Sequence, residues 1–123
     1  MIIFMKWVVV FTEAFDAEFT KFPRDVQTAL LAKARMLECF GPQLGRPHVD
    51  TLKDSKHANM KELRFDVADG AWRAAFAFDT LRQAVILVAG DKSGMSEKRF
   101  YRSLIAKADE RFDDYLTQLN KES

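Results

Sequence analysis

Three short apolar runs sit almost back to back between Met60 and Lys92: Met60 to Val67, Trp72 to Asp79, and Ala84 to Lys92. Their Val, Phe, Trp and Ile content and their alternation read as β-strands. The Asp69-Gly70 pair between the first two, flanked by alternating apolar residues, is a strong signal for a two-residue hairpin turn. The stretch predicts a three-stranded antiparallel meander, and the rest of the chain must pack around it.

A turn at Asp69-Gly70 predicts a register in which Ala68 faces Ala71, Asp66 faces Arg73 and Arg64 faces Ala75. Side chains alternate along a strand, so Glu62, Arg64 and Asp66 share a face with Arg73, Ala75, Ala77 and Asp79. Leu63, Phe65, Val67, Trp72, Phe76 and Phe78 occupy the other face, which is the core side. The charged face predicts a shallow surface floored by alanines, with Arg64 and Arg73 as diagonal neighbours about 7–8 Å apart. Two guanidiniums at that spacing suit a phosphate group. The same residues also read as an ordinary Asp66–Arg73 cross-strand ion pair on a solvated sheet face.

The 123 residues fit one domain with a real core, set here at residues 1–119 with a polar tail over 120–123. A net charge of +1 gives no global pull toward nucleic acid, so any basic footprint is local. Cys39 has no partner for an internal disulfide and lies in an apolar helical stretch, where it reads as a small buried residue. No Cys/His spacing suggests a metal site, and no motif suggests a cofactor. The run Met1 to Phe11 is interrupted by Lys6 and lacks a basic start and a cleavage site, so it reads as a buried strand rather than a signal peptide. It is too short to span a bilayer, and a cytoplasmic protein is expected.

Beyond that strand, Thr12 or Asp16 can cap a short helix toward Lys21, and Pro23 opens a second helix over 24–40 that ends at Gly41-Pro42. The two form a helical hairpin on the apolar sheet face. Residues 43–59, with Gly45, Pro47, two histidines and two lysines, read as a long functional loop. From Ser96 to Leu119 a long amphipathic helix carries Tyr101, Leu104, Ile105, Ala108, Phe112, Tyr115, Leu116 and Leu119 as its buried stripe. The expected fold is therefore α+β: an N-terminal strand, a helical hairpin, a three-stranded antiparallel meander and a C-terminal helix.

This order of elements resembles the RelE/ParE superfamily of small bacterial toxins, and most of all its HigB-like, phage-derived branch. The resemblance is carried by Glu18-Phe19 before Phe22-Pro23, by Leu52-Lys53, by Lys61-Glu62-Leu63-Arg64-Phe65, by Trp72-Arg73-Ala74-Ala75-Phe76, and by Gly90-Asp91-Lys92. It implies a toxin that cuts mRNA on the ribosome without a metal, held inactive by a cognate antitoxin, often of helix-turn-helix type. On that resemblance Arg64, Arg73 and Lys92 are the catalytic candidates, and Lys53, Lys56 and Lys61 are candidates for contact with RNA. Attack by a ribose 2′-hydroxyl needs a proton acceptor, for which Glu62, His57, Asp91 and Lys92 all remain open. A ParE-like toxin that binds gyrase without hydrolytic chemistry is the alternative.

Overall fold

The computed structural model describes residues 6–122, so Met1 to Met5 of the expected first strand lie outside the described residues. The elements run β1 (Val8–Phe11), α1 (Glu13–Phe19), α2 (Arg24–Phe40), a 3-10 turn (Gly41–Gln43), β2 (Val49–Thr51), β3 (Lys61–Val67), β4 (Gly70–Phe78), β5 (Gln83–Asp91) and α3 (Glu97–Glu122). One five-stranded sheet forms in the order β1-β5-β4-β3-β2, with β1 parallel to β5 and the other pairs antiparallel. The α+β architecture and the meander are as the residue pattern predicts.

The sheet is sandwiched. On one face α1 and α2 bury Phe15, Val26, Leu30 and Leu37 against Leu63, Phe65, Phe76 and Ile86. Thr12 caps α1 by accepting a hydrogen bond from the Phe15 backbone N–H at 3.2 Å. Gly41 ends α2 at φ +55°, where a β-carbon would lie 2.3 Å from the Trp7 ring. The stripe Val26-Leu30-Ala34-Leu37 turns Cys39 outward. Cys39 is exposed, contrary to the expectation of a buried thiol.

On the other face lies α3, and this corrects the picture of an open, shallow surface. Ala75 and Ala77 are fully covered by Leu104, Ile105 and Ala108. Their small side chains form a floor for the helix, not for a ligand. Phe100 joins that buried set although the apolar stripe read from the sequence began at Tyr101.

Two register features decide which side chains reach the helix-covered face. The β3–β4 turn consists of Ala68 and Asp69, not Asp69 and Gly70, so Asp66 pairs with Ala71 and Arg64 lies directly opposite Arg73. Gly70 serves close approach instead, because a β-carbon there would meet Asp91 Oδ2 at 2.9 Å and Trp72 Nε1 at 3.0 Å. The turn's positive φ falls on Ala68, at 51°. A second irregularity lies in β5, where Ile86 pairs with Phe76 and Val88 with Ala75, leaving Leu87 as the extra residue of a β-bulge. Arg111 donates to the freed Leu87 carbonyl at 2.7 Å and forms two bonds to the Glu18 carboxylate. Beyond the bulge Val88, Gly90 and Lys92 face α3, whereas an unbroken strand would have sent Asp91 there.

The long loop expected over 43–59 also contains a strand. β2 pairs Val49 with Leu63 and Asp50 with Glu62, adding an edge to the meander. Three residues between Pro47 and Lys53 show too little alternation to be read as a strand.

Candidate active site

The first turns of α3, β2 and the loop following it, the first half of β3 and Lys92 just past β5 enclose a groove of ≈ 810 Å³. Six of its lining residues are basic (Arg46, Lys53, Arg64, Lys92, Lys98, Arg102) and four acidic (Asp50, Asp54, Glu62, Glu97), so the near-neutral chain concentrates a modest positive excess here. Tyr101 is the one aromatic residue on its wall.

At its base β3 and β4 bring Arg64 and Arg73 side by side. Glu62 lies between them, and its residue surface is only 3% exposed. Its carboxylate accepts from Tyr101 Oη at 2.7 Å and from Arg64 Nε at 3.2 Å, and stands 3.7 Å from Arg73 Nε. Two guanidiniums so placed would repel, and a shared buried carboxylate offsets that repulsion. Arg64 keeps one third of its side chain exposed and also faces Asp50 at 3.6 Å. Arg73 is a different case. Its side chain is 10% exposed, its Nη1 donates to the Trp72 carbonyl at 2.8 Å, and its buried Nε has no hydrogen-bond partner among the described residues. The expectation of both arginines on a shallow, open sheet face is therefore corrected. Arg64 reaches the groove, and Arg73 lies beneath it because α3 roofs that part of the sheet.

Lys92 and Lys53 line the groove with Arg64. Lys92 forms an ion pair with Glu97 at 2.6 Å. The remaining candidates lie elsewhere. Lys56 and His57 are both engaged by Asp113 of α3, His57 at 2.8 Å with its ring edge-on to Phe112, and neither lines the groove. Lys61 alternates with Glu62 and so belongs to the opposite sheet face from Arg64. Asp91 accepts from the backbone N–H groups of Ser93 and Ala71, and these bonds hold its carboxyl below the usual range. It fixes a turn and faces away from the groove.

Tyr101 is expected in the core stripe and Lys98 and Arg102 on the helix's outer face of mixed charge, while Arg46 carries no expected role. A signal was present: Lys98, Tyr101, Arg102 and Ile105 recur at three- and four-residue spacing, which puts them on one helical face. Burial, then the hydrogen bond to Glu62, push the Tyr101 hydroxyl up to about 12. Tyr115, expected in the core, is half-buried and donates to Asp79 at 2.6 Å, pinning the β4–β5 turn. No group of His, Cys, Asp and Glu among the described residues is arranged to hold a metal ion. No helix among them is long and apolar enough to cross a membrane.

Residues 17–113 match the family described as "Phage derived protein Gp49-like (DUF891)". Two relatives come from Mycobacterium tuberculosis (strain ATCC 25618 / H37Rv). "Putative toxin HigB3" is 45% identical over 93 residues, which are 76% of this chain and 79% of that protein. "Putative toxin HigB2" is 40% identical over 107 residues, 86% of this chain but only 53% of the relative's length. Among solved structures, a mutant of E. coli toxin RelE in the free state superposes with a TM-score of 0.56 over 84% of this chain and 97% of that one. At 14% identity this likeness speaks for the fold alone. With a family match across most of its length and a HigB relative at 45% identity, the chain belongs to the Gp49-like phage-derived family and is a homologue of the HigB proteins, and its helix-roofed sheet has the RelE fold.

Proposed function

We propose that this protein is the toxin of a toxin–antitoxin pair and that it acts in the cytoplasm as a ribosome-dependent, metal-independent mRNA endoribonuclease. Its cognate antitoxin is then a small helix-turn-helix protein encoded nearby. The observation that carries the nuclease reading is the convergence of Arg64, Lys92, Lys53 and the Tyr101–Glu62 pair on one groove, with Arg73 directly beneath.

The chemistry suits those groups. A ribose 2′-oxygen attacks the adjacent phosphorus, the bond to the 5′-oxygen breaks, and a cyclic phosphate is left on the upstream fragment. Negative charge builds on the non-bridging oxygens, and fixed cations aimed at that charge lower the barrier. Arg64 and Lys92 contact the phosphate, while Lys53 holds the RNA backbone farther along the groove. Arg73, nearly out of solvent, adds field from below. A proton must leave the 2′-hydroxyl and another must reach the 5′-oxygen. His57 and Asp91 lie outside the groove, so of the four candidates Glu62, paired with Tyr101, and Lys92 remain in contact with it to handle protons.

Arg64→Ala tests this directly. It removes a group-specific contact without emptying the core, so the circular dichroism spectrum should stay unchanged. Cleavage of ribosome-bound message should fall by about 10²–10³-fold, the usual cost of one preorganised donor, and growth arrest on expression should be relieved. Undiminished cleavage by Arg64→Ala would defeat the proposal. Inhibition of purified gyrase by wild-type protein that cuts no message would favour the ParE-like alternative instead.

A further inference from the structure

Resting on that reading of the groove, we infer that the Glu97 carboxylate occupies the anion seat of the free protein as an internal counter-ion. A ligand phosphate must displace it before Lys92 can be engaged.

The two glutamates of the site differ in how firmly they are held. Glu62 is buried and approached by three side chains, so its carboxylate is held in place by the folded framework. Glu97 stands in the first turn of α3 with its side chain 71% exposed and, among the described residues, a single hydrogen-bonding partner, Lys92 Nζ at 2.6 Å. Lys92 is the more enclosed member, with 20% of its side chain exposed. Glu97 lines the same groove as Arg64, Lys92 and Tyr101. The hydrogen bond and charge of Lys92, and then the fields of Arg73 and Arg64, hold its carboxyl below the ordinary range, so the seat is filled by an anion at neutral pH.

An exposed carboxylate held by one ammonium rotates into water at little cost. A phosphate offers more acceptor oxygens and more charge to the same cations. Glu97 therefore acts as a removable occupant. It keeps Lys92 aimed into the groove and makes weakly charged or single-contact anions poor competitors. Its side chain belongs to α3, the same element that supplies the tyrosine, so seat and roof are built together.

The experiment titrates pyrophosphate, and separately a short RNA whose 2′-hydroxyl at the scissile position is replaced by hydrogen, into wild-type protein and Glu97→Gln by calorimetry at low salt. Glu97→Gln should tighten both by about two- to fivefold, the range open to one exposed ion pair. Glu13→Gln, on the exposed start of α1, makes the same change in net charge and should leave affinity unaltered. In a Lys92→Met background the gain from Glu97→Gln should shrink. Equal or weaker binding by Glu97→Gln, an equal gain from Glu13→Gln, or no pyrophosphate binding by either protein would overturn the inference. Tighter pyrophosphate binding by a protein that cuts no ribosome-bound message would instead remove the nuclease reading and leave Glu97 in this role.

Discussion

Arg64 and Arg73 are the same residue type on facing positions of neighbouring strands, yet α3 gives them different jobs. Arg73 is nearly enclosed and helps neutralise Glu62, so Arg73→Ala leaves that buried carboxylate with one cation fewer. It should lower unfolding stability by about 3–5 kcal/mol, toward the smaller figure because Tyr101 and Arg64 remain. Arg64→Ala should cost no more than about 1 kcal/mol, since a third of that side chain is already in water. Urea denaturation of the two variants side by side checks the difference, and equal losses would contradict the burial assigned to Arg73. Loss of toxicity in Arg73→Ala thus confounds folding with function, whereas Arg64→Ala separates them. Both arginines were legible as candidates from strand alternation alone. Their unequal burial was not, because nothing local to Arg73 announces that a helix from more than twenty residues downstream covers it.

Among the elements, the turns show where sequence reading fails and why. Asp69-Gly70 is a good hairpin signal judged by itself, but Gly70 is claimed by the packing of Asp91 and Trp72. The turn therefore moves one residue back and leaves a positive φ on Ala68. Because a one-residue move of the turn slides the pairing by two, every side chain keeps its face, which is why the core assignment survived the wrong register. Ala68→Gly should relieve that backbone strain and raise stability by about 0.5–1 kcal/mol, read as a higher thermal midpoint with no change in the spectrum. The β5 bulge is a second case. Its effect is to swap Lys92 for Asp91 on the groove side, and its stabilising partner, Arg111, lies far along α3. β2 escaped notice for a simpler reason, since three residues cannot display a period.

For the molecule as a whole, stability is bracketed by two sets of ionisations. The Arg111 hydrogen bonds hold Glu18 below its ordinary range. Burial would raise Asp79, but hydrogen bonds from Tyr115, Gln83 and the backbone outweigh it and keep it low. Carboxyls depressed in the folded state stabilise it above their unfolded value near 4, and that contribution disappears as pH falls through their folded values. Tyr101, raised to about 12, and Tyr115, raised by burial and by Asp79, behave in the opposite sense. Their contribution is complete below about pH 10 and drains away as pH climbs toward the folded values. Urea midpoints across pH should show a plateau that falls on both sides, and Tyr115→Phe should make the alkaline fall shallower. An alkaline limb unchanged by that substitution would count against the Tyr115–Asp79 contact.

The roof of the groove is the final helix, and the strand that opens the described fold waits for a partner some seventy-five residues later in the chain. A polypeptide still emerging from the ribosome therefore displays its cationic strands before the helix that walls the cleft has been made. On the proposed function, a chain that stops before α3 lacks the groove, so such truncated products should not arrest growth.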